Sequence, residues 1–403
     1  MLILLITTGC GGSGDSGSPS PSPPVTPADN VLTITVNGSL CSANSYINKP
    51  CVSITICSPG TSTCQTISDI LLDTGDSGIR IFKQVLTVPL TQVTSGSGSL
   101  AECIQYTDGS SVWGPVKTAG VILGNEPTVT VPIQVIDSTF GTRPVACTHA
   151  LISPNDPSAG YNGTLGLSFF AQDCGPACRD NALWYYTCTG SSCTATTARL
   201  TDQVQNPVAL LPLDNNGVAV QLPSVAAGGA ISVNGYLILG IGTRSNNIPS
   251  GVTVYPANPS GSIPLPGGLS LEQGEFITLF NGITYPSFID TGSNGLFFPS
   301  PTFNPIPTCS YPDLAWYCPD PTQPPLSFSA TNEGYTGSPS GTVSFQIANF
   351  DSLMSSPNYV FSNIGGTNIG QFDWGLPFHF GRRVYIGIED TGSSLGTGPY
   401  WAY

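Results

Sequence analysis

The chain has 403 residues and only 34 formal charges, 24 acidic and 10 basic, for a net charge of −14; 18 of the acidic residues are Asp. That balance excludes a nucleic-acid binder, which needs a basic stripe. Scarce Glu and Lys exclude a long coiled coil, and 40% hydrophobic residues exclude disorder over most of the chain. What remains is a Gly/Pro-rich β protein, long enough for two lobes.

Residues 1–10 are a short apolar run ending in small residues and Cys10. This resembles a truncated bacterial lipoprotein signal, with Cys10 as the lipidation position; an ordinary cleaved signal with an incidental cysteine is the alternative. Residues 11–30 read as a Gly/Ser/Pro tether with nothing to bury. An exported protein, either a cell-envelope lipoprotein or a secreted one, is expected. Twelve further cysteines make an even set, as a disulfide framework requires. Cys57 with Cys64 and Cys309 with Cys318 are natural local pairs. Zinc held by Cys174, Cys178, Cys188 and Cys193 is the rival reading; the expectation is no metal.

From residue 31 the pattern is strand-like. Residues 31–36 alternate apolar and polar before an Asn-Gly turn. Similar runs recur at 52–56, 120–123, 129–135, 217–222, 235–239, 276–280, 342–347 and 383–388, separated by Gly, Pro, Asn and Ser. Helical periodicity of ten residues or more is almost absent, so the fold class is all-β.

One internal repeat stands out. Leu71-Leu-Asp-Thr-Gly-Asp-Ser-Gly-Ile-Arg-Ile-Phe82 aligns with Phe288-Ile-Asp-Thr-Gly-Ser-Asn-Gly-Leu-Phe-Phe-Pro299, 217 residues later. A period that long means two related lobes, assigned to 31–245 and 246–403. In each copy an apolar pair ends a buried strand, the glycine permits a tight turn, and the aspartate sits at its tip. If the turns face each other, Asp73 and Asp290 share one site. Two carboxylates about 3 Å apart cannot both ionise, so one proton is shared. Such a pair can deprotonate a water and protonate a leaving amide nitrogen. A third Asp-Thr-Gly at Asp390 lacks the apolar pair and reads as an incidental surface turn. A strand-ending Asx turn is the structural alternative for Asp73 and Asp290.

The two motifs, together with the segments downstream of each, resemble the pepsin-like aspartic peptidases. Tyr106-Thr-Asp-Gly-Ser-Ser-Val-Trp-Gly114 looks like that family's flap, with Tyr106, Asp108 and Gly109 as flap or substrate-binding residues. Tyr161-Asn-Gly-Thr-Leu-Gly-Leu-Ser168 and Phe372-Asp-Trp-Gly-Leu-Pro-Phe-His-Phe380 are similar to the elements that pass beneath the two catalytic turns. Tyr236-Leu-Ile-Leu-Gly-Ile-Gly242 resembles the strand linking the lobes. The resemblance implies a bilobal fold with a cleft between two barrel-like lobes, catalytic Asp73 and Asp290, and a polypeptide substrate. It implies support from Thr74, Gly75, Thr291, Gly292 and Ser293. It implies no cofactor and a monomer.

Two departures fall at the first motif. Asp76 stands where the family usually has a hydroxyl, and Arg80 where it often has a tryptophan. Arg80 lies on the same strand face as Asp76 and so can neutralise it. Trp113 and Trp374 are expected in the core. The two histidines, His149 and His379, lie far apart, and no nucleophile elbow accompanies them, which argues against a serine hydrolase. Asp214-Asn-Asn-Gly217 reads as a turn rather than a calcium loop. The alternatives to an endopeptidase are a non-cleaving surface lipoprotein of the same fold that binds peptide or glycan, and a disulfide-stapled β adhesin.

Overall fold

The computed structural model describes residues 28–403 apart from 43–44, 107–108 and 156–158. Cys10, Asp108, the signal-like start and most of the tether therefore lie outside the described residues. The described chain is all-β, built as two barrel-like lobes joined by a shared sheet.

The first lobe is a closed barrel of six strands. Pro50–Cys57 pairs with Cys64–Asp73, which pairs in parallel with Gly163–Leu167. Next come Ser77–Phe82, Val129–Ile136 and Ser111–Ile122, and the last closes back on Pro50–Cys57. Closure leaves the barrel no open edge. Cys64–Asp73 begins exposed and ends fully buried, so the strand delivers Asp73 into the interior.

The second lobe is a half-barrel of seven strands. In spatial order these are Ser340–Ile347, Leu326–Glu333, Phe276–Phe280, Ile283–Ile289, Phe372–Trp374, Leu296–Phe298 and Gly365–Thr367. Its concave face is filled by aromatic rings; Phe298 stacks on Phe372 at 5.2 Å, and Phe345 meets Trp374 edge-on at 5.4 Å.

The local topology of the two Asp-Thr-Gly turns is the same. In each lobe a later strand threads between the arms of the turn, parallel to the incoming arm and antiparallel to the outgoing one. Gly163–Leu167 does this in the first lobe and Phe372–Trp374 in the second. These are the two segments that the sequence placed beneath the turns.

Six consecutive strands join the lobes: Val31–Val36, Val233–Leu239, Gly217–Gln221, Arg383–Gly387, Tyr400–Ala402 and Val254–Pro256. Trp113 and Trp374 are fully buried, as expected.

Six disulfides staple the chain: Cys41–Cys51, Cys57–Cys64, Cys103–Cys147, Cys174–Cys178, Cys188–Cys193 and Cys309–Cys318. Both local pairs expected from spacing are present. The four cysteines weighed as zinc ligands are instead spent on two bridges. Six bridges suggest an oxidising, extracytoplasmic environment. Among the described residues no helix is long and apolar enough to cross a membrane.

Candidate functional site

The two turns meet tip to tip. Thr74 N–H donates to Thr291 Oγ1 at 3.1 Å, and Thr291 N–H donates to Thr74 Oγ1 at 3.0 Å. Each hydroxyl then donates across the lobes, Thr74 to the Ile289 carbonyl at 3.2 Å and Thr291 to the Leu72 carbonyl at 2.7 Å. Four crosswise bonds between buried groups fix the turns face to face. A side chain at either glycine would collide with the opposite carboxyl. A Cβ on Gly75 would lie 2.8 Å from Asp290 Cγ, and one on Gly292 would lie 2.7 Å from Asp73 Cγ. That close approach is why the motif needs glycine twice.

Asp73 and Asp290 are buried to the same depth, each 9% exposed, so neither is the more open to solvent. Gly75 N–H reaches both inner oxygens, Asp73 Oδ1 at 2.9 Å and Asp290 Oδ1 at 3.0 Å. One nitrogen touching both keeps the carboxyls within the roughly 6 Å over which like charges disturb each other strongly. Burial, then the Asp290 charge, then that of Asp76 push the Asp73 carboxyl well above the usual range. Asp290 Oδ1 also accepts from Gly292 N–H at 2.7 Å, and its Oδ2 accepts from the Ser293 hydroxyl at 2.9 Å. On the other side, Asp73 Oδ1 accepts from the backbone N–H of Asp76 at 3.0 Å. Asp76 thus supplies a main-chain donor where Ser293 supplies a hydroxyl.

A family model described as "Protein of unknown function (DUF3443)" matches residues 26–403. The chain belongs to this family. No curated protein matches it.

In this DUF3443 chain the residues after the first turn form a buried charge cluster. Arg80 is fully buried; its Nη1 meets Asp76 Oδ2 at 2.7 Å, and its Nη2 meets Asp173 Oδ2 at 3.0 Å and Glu102 Oε1 at 3.5 Å. The Tyr185 hydroxyl donates to Asp173 Oδ1 at 2.7 Å. One guanidinium facing three carboxyls leaves an excess of negative charge in a dry site. Burial, and then Glu102, push Asp173 well above the usual range, and burial raises Asp76 against the opposing pull of Arg80. Asp76 is paired with Arg80, as its strand position suggested. Glu102 and Asp173 carry no sequence signal as partners, because only the barrel brings them to Arg80.

Tyr106 and Gly109 lie at the tip of the hairpin formed by Gly98–Gln105 and Ser111–Ile122. Tyr106 N–H donates to Ser110 O at 2.9 Å, and Gly109 N–H to Tyr106 O at 3.0 Å. The Tyr106 ring packs on a cluster containing Leu71, Phe82, Ile104 and Tyr161. Its hydroxyl is shielded without a hydrogen-bond partner among the described residues. Burial, and then the charge of Asp76, push that hydroxyl well above its usual range, with Arg80 opposing.

Three residues near the turns were not anticipated. Tyr46 hydroxyl donates to Gly292 O at 3.3 Å, and Asn48 side-chain N–H donates to Asn294 O at 2.8 Å, so the segment before Pro50–Cys57 reaches across to the second turn. Asp373, 5% exposed, lies in the strand threaded beneath that turn. The signal for Asp373 was present: it is a carboxylate inside the apolar run Phe372-Asp-Trp-Gly-Leu. Asp390 is an exposed turn residue with φ 56°, in keeping with an incidental motif. Asp214 lies in a bend and is a buried partner of Arg244, at 2.6 Å.

Proposed function

We propose that this chain is an aspartic endopeptidase of the pepsin-like type, working outside the cytoplasm as a lipoprotein anchored at Cys10 or as a secreted protein. The reading is carried by one observation: a single backbone N–H reaches one carboxyl oxygen of each Asp-Thr-Gly aspartate. Asp73, whose proton is favoured, and Asp290, which collects three donors, then act as acid and base on one water. The water loses a proton to the pair as its oxygen attacks the scissile carbonyl. The pair returns a proton to the leaving amide nitrogen. An acid and an amine result, with no cofactor required. The substrate is an extended polypeptide held by backbone hydrogen bonds under the hairpin that bears Tyr106.

Cleavage of an unfolded protein from pH 3 to 7 tests the reading. Asp73→Asn and Asp290→Asn should each lower the rate by about 10³-fold or more, and a statine-type inhibitor should block the wild type. Activity should fall as pH rises and Asp73 loses its proton. Cleavage indifferent to both substitutions would sink the proposal. Asp76, standing in place of a hydroxyl donor, favours a second reading: a surface protein of the same fold that binds peptide or glycan without cutting. That reading wins if peptide binds at the cleft while no pH yields cleavage.

A further inference from the structure

Asp373 is buried beneath the second turn, and among the described residues no cation pairs with it. Its strand runs between the two arms of that turn, with Asp373 opposite Phe288 on one side and Phe297 on the other. The same strand is bonded to the turn itself: Asp290 N–H donates to Trp374 O at 3.0 Å, and Leu376 N–H to Ser293 O at 2.7 Å. Asp373 Oδ1 is shielded and has no hydrogen-bond partner among the described residues. Burial and then the charge of Asp290 push the carboxyl well above its usual range, while the hydroxyl of Ser293 pulls the other way. A buried carboxylate facing another carboxylate, with no cation in the set, is costly, so the neutral acid is the stable form.

Ser293 has one proton to give, and it gives it to Asp290 Oδ2 at 2.9 Å. A neutral Asp373 can satisfy the other side of that oxygen by donating. An ionised Asp373 would compete with Asp290 for the same proton. We propose that Asp373 is a positioning residue for the dyad: as a buried carboxylic acid it donates to Ser293 Oγ and commits the Ser293 proton to Asp290. The chain Asp373 to Ser293 to Asp290 then holds the Ser293 hydroxyl on Asp290 Oδ2. It has no counterpart at the first turn, where Asp76 offers a backbone N–H instead. The catalytic consequence rests on the peptidase reading; the protonation of Asp373 does not.

Two substitutions in the full chain separate the possibilities. The amide of Asp373→Asn can still donate to Ser293 Oγ, whereas Asp373→Leu cannot. With denatured, dye-labelled haemoglobin as substrate, D373L should lower kcat about tenfold with KM nearly unchanged. It should also move the acid limb of the pH profile upward, because the Ser293 proton is no longer committed to Asp290 Oδ2. D373N should restore the wild-type limb. An acid limb unmoved in D373L, or one moved equally in both variants, overturns the positioning role. A second readout needs no activity. Between pH 4 and 7 the Tm of the wild type should fall relative to that of D373N, since only the unfolded wild type releases the Asp373 proton there. Parallel Tm curves would overturn a neutral Asp373. If no variant cleaves at any pH, the peptidase reading fails, while the Tm comparison still decides the state of Asp373.

Discussion

At the scale of single residues, the molecule separates groups that a motif can announce from groups that only three dimensions assemble. Asp73 and Asp290 were legible because each carries the same flanks and the pair recurs once per lobe. Arg80 was visible as a departure and Asp76 as a partner for it, but its other two partners were not: Glu102 and Asp173 lie 22 and 93 residues away. No local pattern encodes such a pairing, because it depends on which barrel strands become neighbours. The cluster makes a definite prediction. Arg80→Met should cost about 3–5 kcal/mol at pH 7, since three buried carboxyls lose their only cation. The cost should shrink as pH falls towards 4, because burial raises Asp76 and Asp173 and so favours their taking up protons. Urea unfolding at the two pH values measures this. Equal losses at both would show that these carboxyls hold no protons in the folded state.

At the scale of elements, alternation of apolar and polar residues located the strands, but not how they close. Closure of the first lobe rests on Pro50–Cys57 meeting Ser111–Ile122, a contact between strands far apart in sequence. The hairpin bearing Tyr106 shows the same division. Its two strands follow from local pattern, whereas its restraint comes from 144–151. There Cys147 bridges to Cys103, Ala150 pairs with Ser111, and Leu151 N–H donates to Ser111 O at 2.8 Å. Removing this bridge with Cys103→Ser and Cys147→Ser together should cost about 4 kcal/mol for a separation of 44 residues. Amide exchange should accelerate in 98–122 while the threonine bonds at the dyad stay protected. Uniform acceleration throughout the chain would mean that the bridge holds the whole barrel rather than the hairpin.

At the scale of the whole molecule, buried ionisable groups set an acid preference. Asp73, Asp173 and Asp373 stand well above the carboxylate range because of burial. They bind protons that the unfolded chain releases above about pH 4, so their stabilisation is full below that value and drains away as pH rises through their native pKa values. His379 opposes them. Burial lowers it from 6.5 to about 3, so between those values the unfolded chain takes up a proton that the native state refuses. The raised carboxyls, set against His379 and against carboxyls such as Asp137 that hydrogen bonds from Lys83 and Thr139 hold low despite burial, with a net charge of −14 relaxing as pH falls, should place the highest Tm on the acid side. Thermal unfolding from pH 4 to 8 should show Tm falling by several degrees as pH rises; a flat or rising curve would contradict it. The joining sheet adds a matter of timing. Gly217–Gln221, between the two aspartates in sequence, finds its second neighbour only in Arg383–Gly387, which is itself flanked by Tyr400–Ala402. A chain emerging from a ribosome, or threading through a secretion pore, must therefore deliver almost all of itself before that sheet can set.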